Sequence, residues 1–512
     1  GAPVLRQYNF ESGLMFAPGA KVVILTENAD EAHRSPADIA VIADLAPTLS
    51  ALSDKVTPVA EQRSSVTFAR RPLPTPSDGE PLRASHVMGM LATRVPENVI
   101  LVEDTDALAA CVRTLGSNTG PFALDAERAS GFRYGSRAYL VQVARGTSPI
   151  YLIDPIGISP SGDPEAFAEL AEVLSTDVWI LHAATQDLGC LAELGLKPTA
   201  LFDTELGGRI AGFPRVGLGA MAESLLGFRL AKEHSAVDWS TRPMQADWLN
   251  YAALDVELLI ELRNEIEKLL IEKKKLQWAL QDFAAILAAP PSPKRVDPWR
   301  RTSGMHKIKK RNQLAVVKAL WEARDDLAQH LDISPGRILS DLAISTLALA
   351  AGTAPMSSKR DLEKVLRPIG LRARWFENVP RWVKAIDGAM ALSEDDCPPT
   401  KTKSDALPPI KIWSEKFPER YIALSHARHL FTAAAEELEL PVENLLTPEF
   451  LRQVCWRLPL PADVPGLLEE LGARPWQIEV ATPLLVQALS EDEPYIAPES
   501  ESSDEAAAAT EE

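Results

Sequence analysis

Between residues 96 and 290, short apolar runs alternate along the chain with longer stretches in which the hydrophobic positions have helical spacing. Short apolar runs rich in β-branched and aromatic residues predict strands at Pro121–Leu124, Tyr139–Ala144, Ile150–Ile153 and Val178–His182. Longer stretches with helical spacing predict helices at Thr105–Leu115, Asp163–Leu174, Gln186–Leu194 and across Gln245–Ala288. Strands that alternate with helices are typical of a layered α/β domain.

The remainder of the chain predicts helical units separated by linkers. Asn312–His330 has the pattern of one amphipathic helix, and a later helical block runs from about Ile410 to Leu489. We expect an N-terminal extension of unknown role (1–95), the α/β domain (96–290), a basic linker (291–306), a small all-α domain (307–392), a linker (393–409), a second all-α domain (410–490) and an acidic tail (491–512). Within the extension, the pattern predicts a strand at Val22–Thr26, a helix at Ile39–Leu52 and a proline-rich linker at Arg70–Pro81.

Charge is distributed unevenly over the 512 residues. The net charge is −18, and the nine acidic residues of Glu491–Glu512, which contains no Lys or Arg, supply half of it. Residues 290–311 instead hold eight Lys or Arg residues against one acid, Asp297. An acidic chain can therefore present a local cationic surface, and the tail is a solubilising extension or a competitor of nucleic acid for that surface.

The four cysteines are widely spaced and form no C-x-x-C pair, which indicates neither a zinc site nor a disulfide framework. No apolar run approaches the roughly 20 residues that span a bilayer. We therefore expect a cytoplasmic protein that makes no membrane contact.

Three sites carry acidic residues that suit metal-dependent chemistry. Asp125 and Glu127 follow an apolar run at i, i+2, so on a strand they share a face and repel one another unless a cation such as Mg²⁺ or Mn²⁺ lies between them. The alternative is a strand end with two solvated acids. Asp187 begins a predicted helix, where the helix dipole alone could stabilise it. Tyr251 and Asp255 share one face of a helix at i, i+4, and an ordinary amphipathic helix is the alternative.

The three sites together, in this order, resemble the exonuclease motifs of the DEDD superfamily, tyrosine branch. The segments are FALDAERASGFRYGSRAYLVQVA, HAATQDLGCLAELG and DWLNYAALDVELL, and the resemblance is greatest to the ribonuclease D family. Phe202-Asp-Thr-Glu and the run from Lys232-Glu-His-Ser to Asp238-Trp-Ser-Thr-Arg-Pro also resemble that family.

The resemblance implies an RNase H-like fold and a metal-dependent 3′→5′ exoribonuclease. It implies two divalent ions, Mg²⁺ or Mn²⁺, bound by Asp125, Glu127, Asp187 and Asp255, and a Tyr251 that orients the attacking water. It further implies a monomer that acts on RNA with a free 3′ end, such as tRNA precursors or other small structured RNAs.

Other residues are candidates for contact with nucleic acid. Arg128, Arg133 and Arg137 could contact the substrate backbone, while Phe132 and Tyr134 could stack on a terminal base, which is worth about 1–3 kcal/mol per base. The alternative is a surface loop whose arginines are solvated. Lys307, Lys309, Lys310 and Arg311 could neutralise phosphates, or could belong to a linker that only connects domains.

The helical units resemble a second known module. The segment from Leu314 through Trp321 and Arg324 to Asp341 resembles the helicase-and-RNase-D C-terminal (HRDC) domain, and the block after Ile410 resembles a diverged second copy. This resemblance implies auxiliary nucleic-acid binding. We expect Trp321, Trp375 and Trp382 to belong to a hydrophobic core.

Two rival functions stay open from the sequence. A 3′→5′ DNA exonuclease would use the same carboxylates. The sequence contains no G-x-x-x-x-G-K-[ST] loop of a Walker-type ATP site, so we expect no ATP requirement. A non-catalytic RNA-binding scaffold is the other rival, and the complete carboxylate set argues against it.

Overall fold

The computed structural model describes residues 23–26, 39–42, 99–228, 237–290, 295–370, 372–400 and 407–495. Several sequence predictions lie outside these residues: the proline-rich linker at Arg70–Pro81, the Lys232-Glu-His-Ser part of the family-like run, part of each interdomain linker, and the acidic tail beyond Tyr495.

The N-terminal 73 residues cluster as a unit of their own, in which two short strands are described. β1 (Val23–Thr26) and β2 (Ile39–Ile42) pair in parallel. The first strand was predicted. The helix predicted at Ile39–Leu52 is wrong over its first four residues, because the Ile-Ala-Val-Ile run is rich in β-branched residues that favour extended backbone.

A six-stranded mixed sheet forms the centre of the next domain, which confirms the α/β fold class. Its strands lie in the order β3-β6-β5-β4-β7-β8, in which β5 runs antiparallel to both of its neighbours, β4 and β6, and the remaining pairs are parallel. The bounds are β3 Val99–Val102, β4 Phe122–Arg128, β5 Ala138–Arg145, β6 Ile150–Ile153, β7 Trp179–Leu181 and β8 Leu201–Asp203.

Nine α-helices of the described residues belong to this domain. They are α1 Thr105–Ser117, α2 Pro155–Ile158, α3 Ala168–Leu174, α4 Leu188–Glu193, α5 Thr204–Ala211, α6 Leu218–Met221, α7 Ala246–Glu257, α8 Leu259–Glu272 and α9 Leu276–Ala288. Every residue of β5 is buried, since it lies inside the sheet. Helix α7 packs across β4, β5 and β6, which brings its side chains to the centre of the sheet.

The first helical domain has its own hydrophobic core. Its helices are α10 Arg311–Leu331, α11 Pro335–Ile338, α12 Asp341–Ala350, α13 Lys359–Leu366 and α14 Val379–Met390. Trp375 and Trp382 are buried in this core as expected, and Trp321 is partly buried against it. Trp299 is also buried there, so part of the predicted linker packs as structure of this domain.

The second helical domain packs against the end of the α/β domain. Its helices are α15 Trp413–Lys416, α16 Pro418–Glu437, α17 Val442–Leu445, α18 Pro448–Arg457, α19 Val464–Leu471 and α20 Pro475–Leu489. Lys275 Nζ donates to the carbonyls of Ile210 and Leu438, one from each side of the junction. The Trp278 and Trp476 rings stack with centroids 4.6 Å apart. Among the helices described, none combines the length and the apolar content needed to cross a bilayer.

Candidate active site

Strand β4 places Asp125 and Glu127 on one face of the sheet. The two residues alternate with Leu124 and Ala126, which are buried, and they pair across to Gln142 and Leu140 of β5. A register irregularity follows directly after Glu127, where the strand leaves the regular ladder. The i, i+2 spacing therefore does place both carboxylates side by side, as the sequence predicts.

Helix α7 brings the third carboxylate onto this face. Oxygen atoms of Asp125, Glu127 and Asp255 all lie within 4.8 Å of one another. Tyr251, one turn earlier on α7, donates its hydroxyl hydrogen to the Asp255 carboxylate. The i, i+4 pair of the sequence is thus one hydrogen-bonded unit that faces β4.

Asp187 reaches the site from the turn after β7, and Asp203 holds that turn in place. The Asp203 carboxylate accepts hydrogen bonds from the backbone N–H groups of Ala183 and Ala184 at 3.1 and 2.8 Å, and from two more in the first turn of α5. Ala183 has a φ of +60°, in the left-handed region that L residues rarely adopt, so the turn needs this support. The Phe202-Asp-Thr-Glu segment therefore has a structural role behind the site.

Asp187 borders the three-carboxylate group without being part of it. It stands at the N-terminal end of α4, yet its side chain makes no capping hydrogen bond. It forms an ion pair with Arg128, whose Nη2 lies 3.6 Å from its Oδ1. This carboxylate therefore pairs with a guanidinium beside the cluster in addition to standing at a helix N-terminus.

The carboxylates are held where ionisation is costly. Burial, followed by repulsion from Asp125, Asp255 and Asp187, raises the pKa of Glu127 to about 9. Burial and the charge of Asp125 raise the pKa of Asp255 to about 8 and that of Asp187 to about 7. Burial also raises the pKa of Asp125 to about 6. Crowded acids of this kind gain stability from a cation among them.

The donor set fits a hard divalent cation. All the available ligand atoms are carboxylate oxygens, which Mg²⁺ and Mn²⁺ prefer, and the group includes no His or Cys ligand. His182 hydrogen-bonds through Nδ1 to Thr204 Oγ1 at 2.9 Å, and burial lowers its pKa to about 4. It is therefore a neutral side chain with a structural role.

Gln142 is a residue that sequence reasoning missed. Its side chain is fully buried on β5 directly across from Asp125, and neither amide atom has a hydrogen-bond partner among the described residues. A buried amide without partners costs free energy, so this position suits a site that holds polar ligands such as metal-bound water. The only sequence signal is a single Gln within the otherwise apolar strand YLVQVA.

Most of the residues in 128–137 that were predicted to contact nucleic acid instead have side chains that contact other groups of the protein. Tyr134 donates its hydroxyl hydrogen to Asp325 at 3.1 Å and packs against the core of the first helical domain. Arg133 donates from Nε to Ser240 Oγ at 2.7 Å. The Arg137 guanidinium lies 5.0 Å from the centroid of the Tyr139 ring. Their contact with RNA stays a prediction, and the structure adds an interdomain role.

The basic residues before α10 divide into two groups. Lys307, Lys309 and Lys310 are exposed. Arg311 is partly buried and donates from Nη2 to the carbonyls of Asp395 and Cys397, so it braces the first helical domain internally. The lysines are therefore better placed than Arg311 to neutralise phosphates.

The crowding of carboxylates predicts how the metal-free protein responds to pH. Because the pKa values of Glu127 and Asp255 are raised to about 9 and about 8, the folded state binds more protons than the unfolded state above pH 4. In EDTA, stability should therefore fall as the pH rises from about 4 to 9. Glu127→Gln should raise the melting temperature at pH 8 by roughly 3 °C, and much less at pH 5. Differential scanning calorimetry checks this, and an equal shift at both pH values would contradict it.

Three regions of the chain match families of known proteins. Residues 99–271 match a family described as 3′-5′ exonuclease, residues 313–356 match the HRDC domain, and residues 406–489 match a family described as 3′ to 5′ exonuclease C-terminal domain. The last match covers the block in which the sequence suggests a second HRDC-like copy.

Two curated relatives carry the same name. The chain is 33% identical to Ribonuclease D of Acidiphilium cryptum over 49% of its length and 63% of the relative's, just under two thirds. It is 30% identical to Ribonuclease D of Gluconacetobacter diazotrophicus over 58% of its length and 74% of the relative's.

Two solved structures are similar along most of their length. A protein from Bifidobacterium adolescentis is 36% identical with a TM-score of 0.68, covering 78% of this chain and 97% of that one. Escherichia coli RNase D, described as an exoribonuclease involved in structured RNA processing, is 23% identical with a TM-score of 0.54, covering 76% and 99%. The second likeness concerns the fold.

Proposed function

Because this chain belongs to the ribonuclease D family, we propose that it is a hydrolytic 3′→5′ exoribonuclease that trims the 3′ ends of structured RNA such as tRNA precursors. The observation that carries the proposal is the group formed by Asp125, Glu127 and Asp255, whose oxygens lie within 4.8 Å of one another beside a cavity of about 430 Å³. That cavity is lined by Glu127, Arg128 and the residues that follow them.

Asp125, Glu127 and Asp255 would hold divalent metal, and Asp187 would complete the site. Mg²⁺ or Mn²⁺ held there would favour loss of a proton from the attacking water near neutral pH and would neutralise charge on the scissile phosphate and the leaving oxygen. The carboxylates determine where the positive charge of the metal would lie relative to the scissile phosphate, so the protein would position the metal as well as bind it.

Tyr251 and Arg128 have roles that follow from their own contacts. Burial and the nearby carboxylates raise the pKa of Tyr251, so its hydroxyl keeps its proton and orients Asp255 through a hydrogen bond. A protonated hydroxyl can also bond a water molecule beside Asp255. Arg128, with Nη2 3.6 Å from Asp187 Oδ1, carries a positive charge beside the site and can meet a phosphate oxygen there.

Trimming assays test the proposal. The purified protein is incubated with a 5′-labelled RNA that has a single-stranded 3′ end, alongside its DNA twin, in Mg²⁺, Mn²⁺ or EDTA. We expect an RNA ladder that shortens from the 3′ end, is lost in EDTA and returns with metal. Faster trimming of DNA would favour the function of a DNA exonuclease. RNA binding without trimming would favour a non-catalytic RNA-binding scaffold.

The substrate class has its own test. A tRNA precursor with a 3′ trailer and the corresponding mature tRNA are compared at equal concentration. We expect the trailer to be removed and trimming to slow where the duplex stem begins. The cavity of about 430 Å³ beside Glu127 suits an unpaired nucleotide better than a base-paired stem. Degradation of both RNAs at the same rate would contradict a trimming role.

A further inference from the structure

The loop between β4 and β5, residues 129–137, forms one wall of the cavity beside Glu127. Gly131 and Phe132 line that cavity together with Glu127, Arg128 and Val237. The loop follows directly on the strand that carries Asp125 and Glu127. Its position therefore decides the shape of the space next to the carboxylates.

The first helical domain holds this loop through several contacts. Arg337 of α11 donates from Nε to the carbonyl of Gly131 at 2.7 Å. Its guanidinium also lies 4.0 Å from the centroid of the Phe132 ring, a cation–π contact. The backbone N–H of Ser334 donates to the carbonyl of Phe132 at 2.9 Å. Ser334 and Arg337, three residues apart in the helical domain, thus contact the consecutive loop residues Gly131 and Phe132.

The next loop residues are held by the same domain. Tyr134 bonds through its hydroxyl to Asp325, and its backbone N–H donates to the Asp332 carboxylate at 3.3 Å. Arg133 forms an ion pair with Asp332, with Nη1 and Oδ2 3.8 Å apart, and bonds to Ser240 from the other side. The loop is therefore braced between the helical domain and the segment around Ser240.

We propose that the first helical domain positions the active-site wall through Arg337, which acts as a positioning residue for 3′-end trimming. This rests on the proposed function. The role is distinct from RNA binding by the helical domain, because the Arg337 side chain contacts Gly131 and Phe132, two residues that line the cavity. Loss of this contact shifts the loop, and misplacement of a substrate by about 1 Å can cost on the order of 100-fold in rate.

The test uses full-length Arg337→Ala and a trinucleotide RNA, which confines substrate contacts to the neighbourhood of the carboxylates. We expect kcat on the trinucleotide to fall about tenfold, with a smaller change in KM. Arg337→Lys keeps the charge over Phe132 and should recover part of the rate. Arg381→Ala is the matched control, since Arg381 pairs with Asp326 and Ala323 inside the same helical domain.

A second readout needs no substrate. Hydrogen exchange of residues 129–137 should become faster in Arg337→Ala and stay unchanged in Arg381→Ala. Normal exchange with an unchanged trinucleotide kcat, or an effect confined to KM on long RNA, would overturn the inference while leaving the proposed function intact. A wild-type protein that trims no RNA would overturn the proposed function, and the exchange data would still show whether Arg337 holds the loop.

Discussion

Asp125→Asn is expected to reduce RNA trimming by about 10³-fold or more while leaving the protein folded. Asp125 acts on all three other carboxylates of the site, because its charge raises the pKa values of Glu127, Asp187 and Asp255. Loss of one charged ligand removes several kcal/mol of transition-state stabilisation, and each 1.36 kcal/mol or so is a factor of ten in rate.

The matched control for this variant is Asp106→Asn, which changes an exposed acid on α1 of the same domain. Single-turnover trimming of a 5′-labelled RNA measures both variants at saturating Mg²⁺. Folding is checked by melting in EDTA, where Asp125→Asn should be at least as stable as wild type because it relieves repulsion. Trimming by Asp125→Asn within tenfold of the wild-type rate would show that another group carries the chemistry.

Arg242→Ala is expected to lower the free energy of unfolding by about 3–5 kcal/mol, the range for breaking a buried ion pair. Arg242 donates from Nε and Nη2 to the two oxygens of Asp154 at 2.6 and 2.7 Å. Its remaining N–H groups donate to the carbonyls of Tyr139, Trp239 and Thr241. Asp154 is only 3% exposed as a side chain, so the variant would leave a buried charge without its partner.

Urea denaturation measures this loss, and two further variants interpret it. Arg209→Ala removes a partly exposed i, i+4 pair with Glu205 and should cost less than about 1 kcal/mol. Adding Asp154→Asn to Arg242→Ala should recover part of the stability, because the unpaired charge is then gone. An Arg242→Ala variant as stable as Arg209→Ala would contradict the assigned role of this ion pair.

Local patterns predicted the parts of the site that depend on neighbouring residues. The alternation of Leu124, Asp125, Ala126 and Glu127 predicts two acids on one face, and the strand shows that arrangement. The four-residue spacing of Tyr251 and Asp255 likewise predicts their shared helix face, and the hydrogen bond between them follows. Both relations depend only on the period of a strand or a helix.

Other features depend on which strands and domains meet, and no local pattern encodes that. Gln142 faces Asp125 because β5 pairs antiparallel with β4 in one particular register. The bond from Tyr134 to Asp325 joins residues 191 positions apart. For the same reason, the aromatic and basic residues after Glu127 resembled a nucleic-acid surface in the sequence, whereas Tyr134 packs on the helical domain in the structure.

The most direct test of the account joins metal occupancy to trimming in one titration. Manganese bound to the EDTA-stripped protein is counted by electron paramagnetic resonance, and the rate of 3′ trimming of a 5′-labelled RNA is measured at each concentration. We predict that the rate rises with occupancy of sites that Asp125→Asn loses. Full trimming by the stripped protein, or unchanged manganese binding in Asp125→Asn, would contradict a catalytic metal centre at Asp125, Glu127 and Asp255.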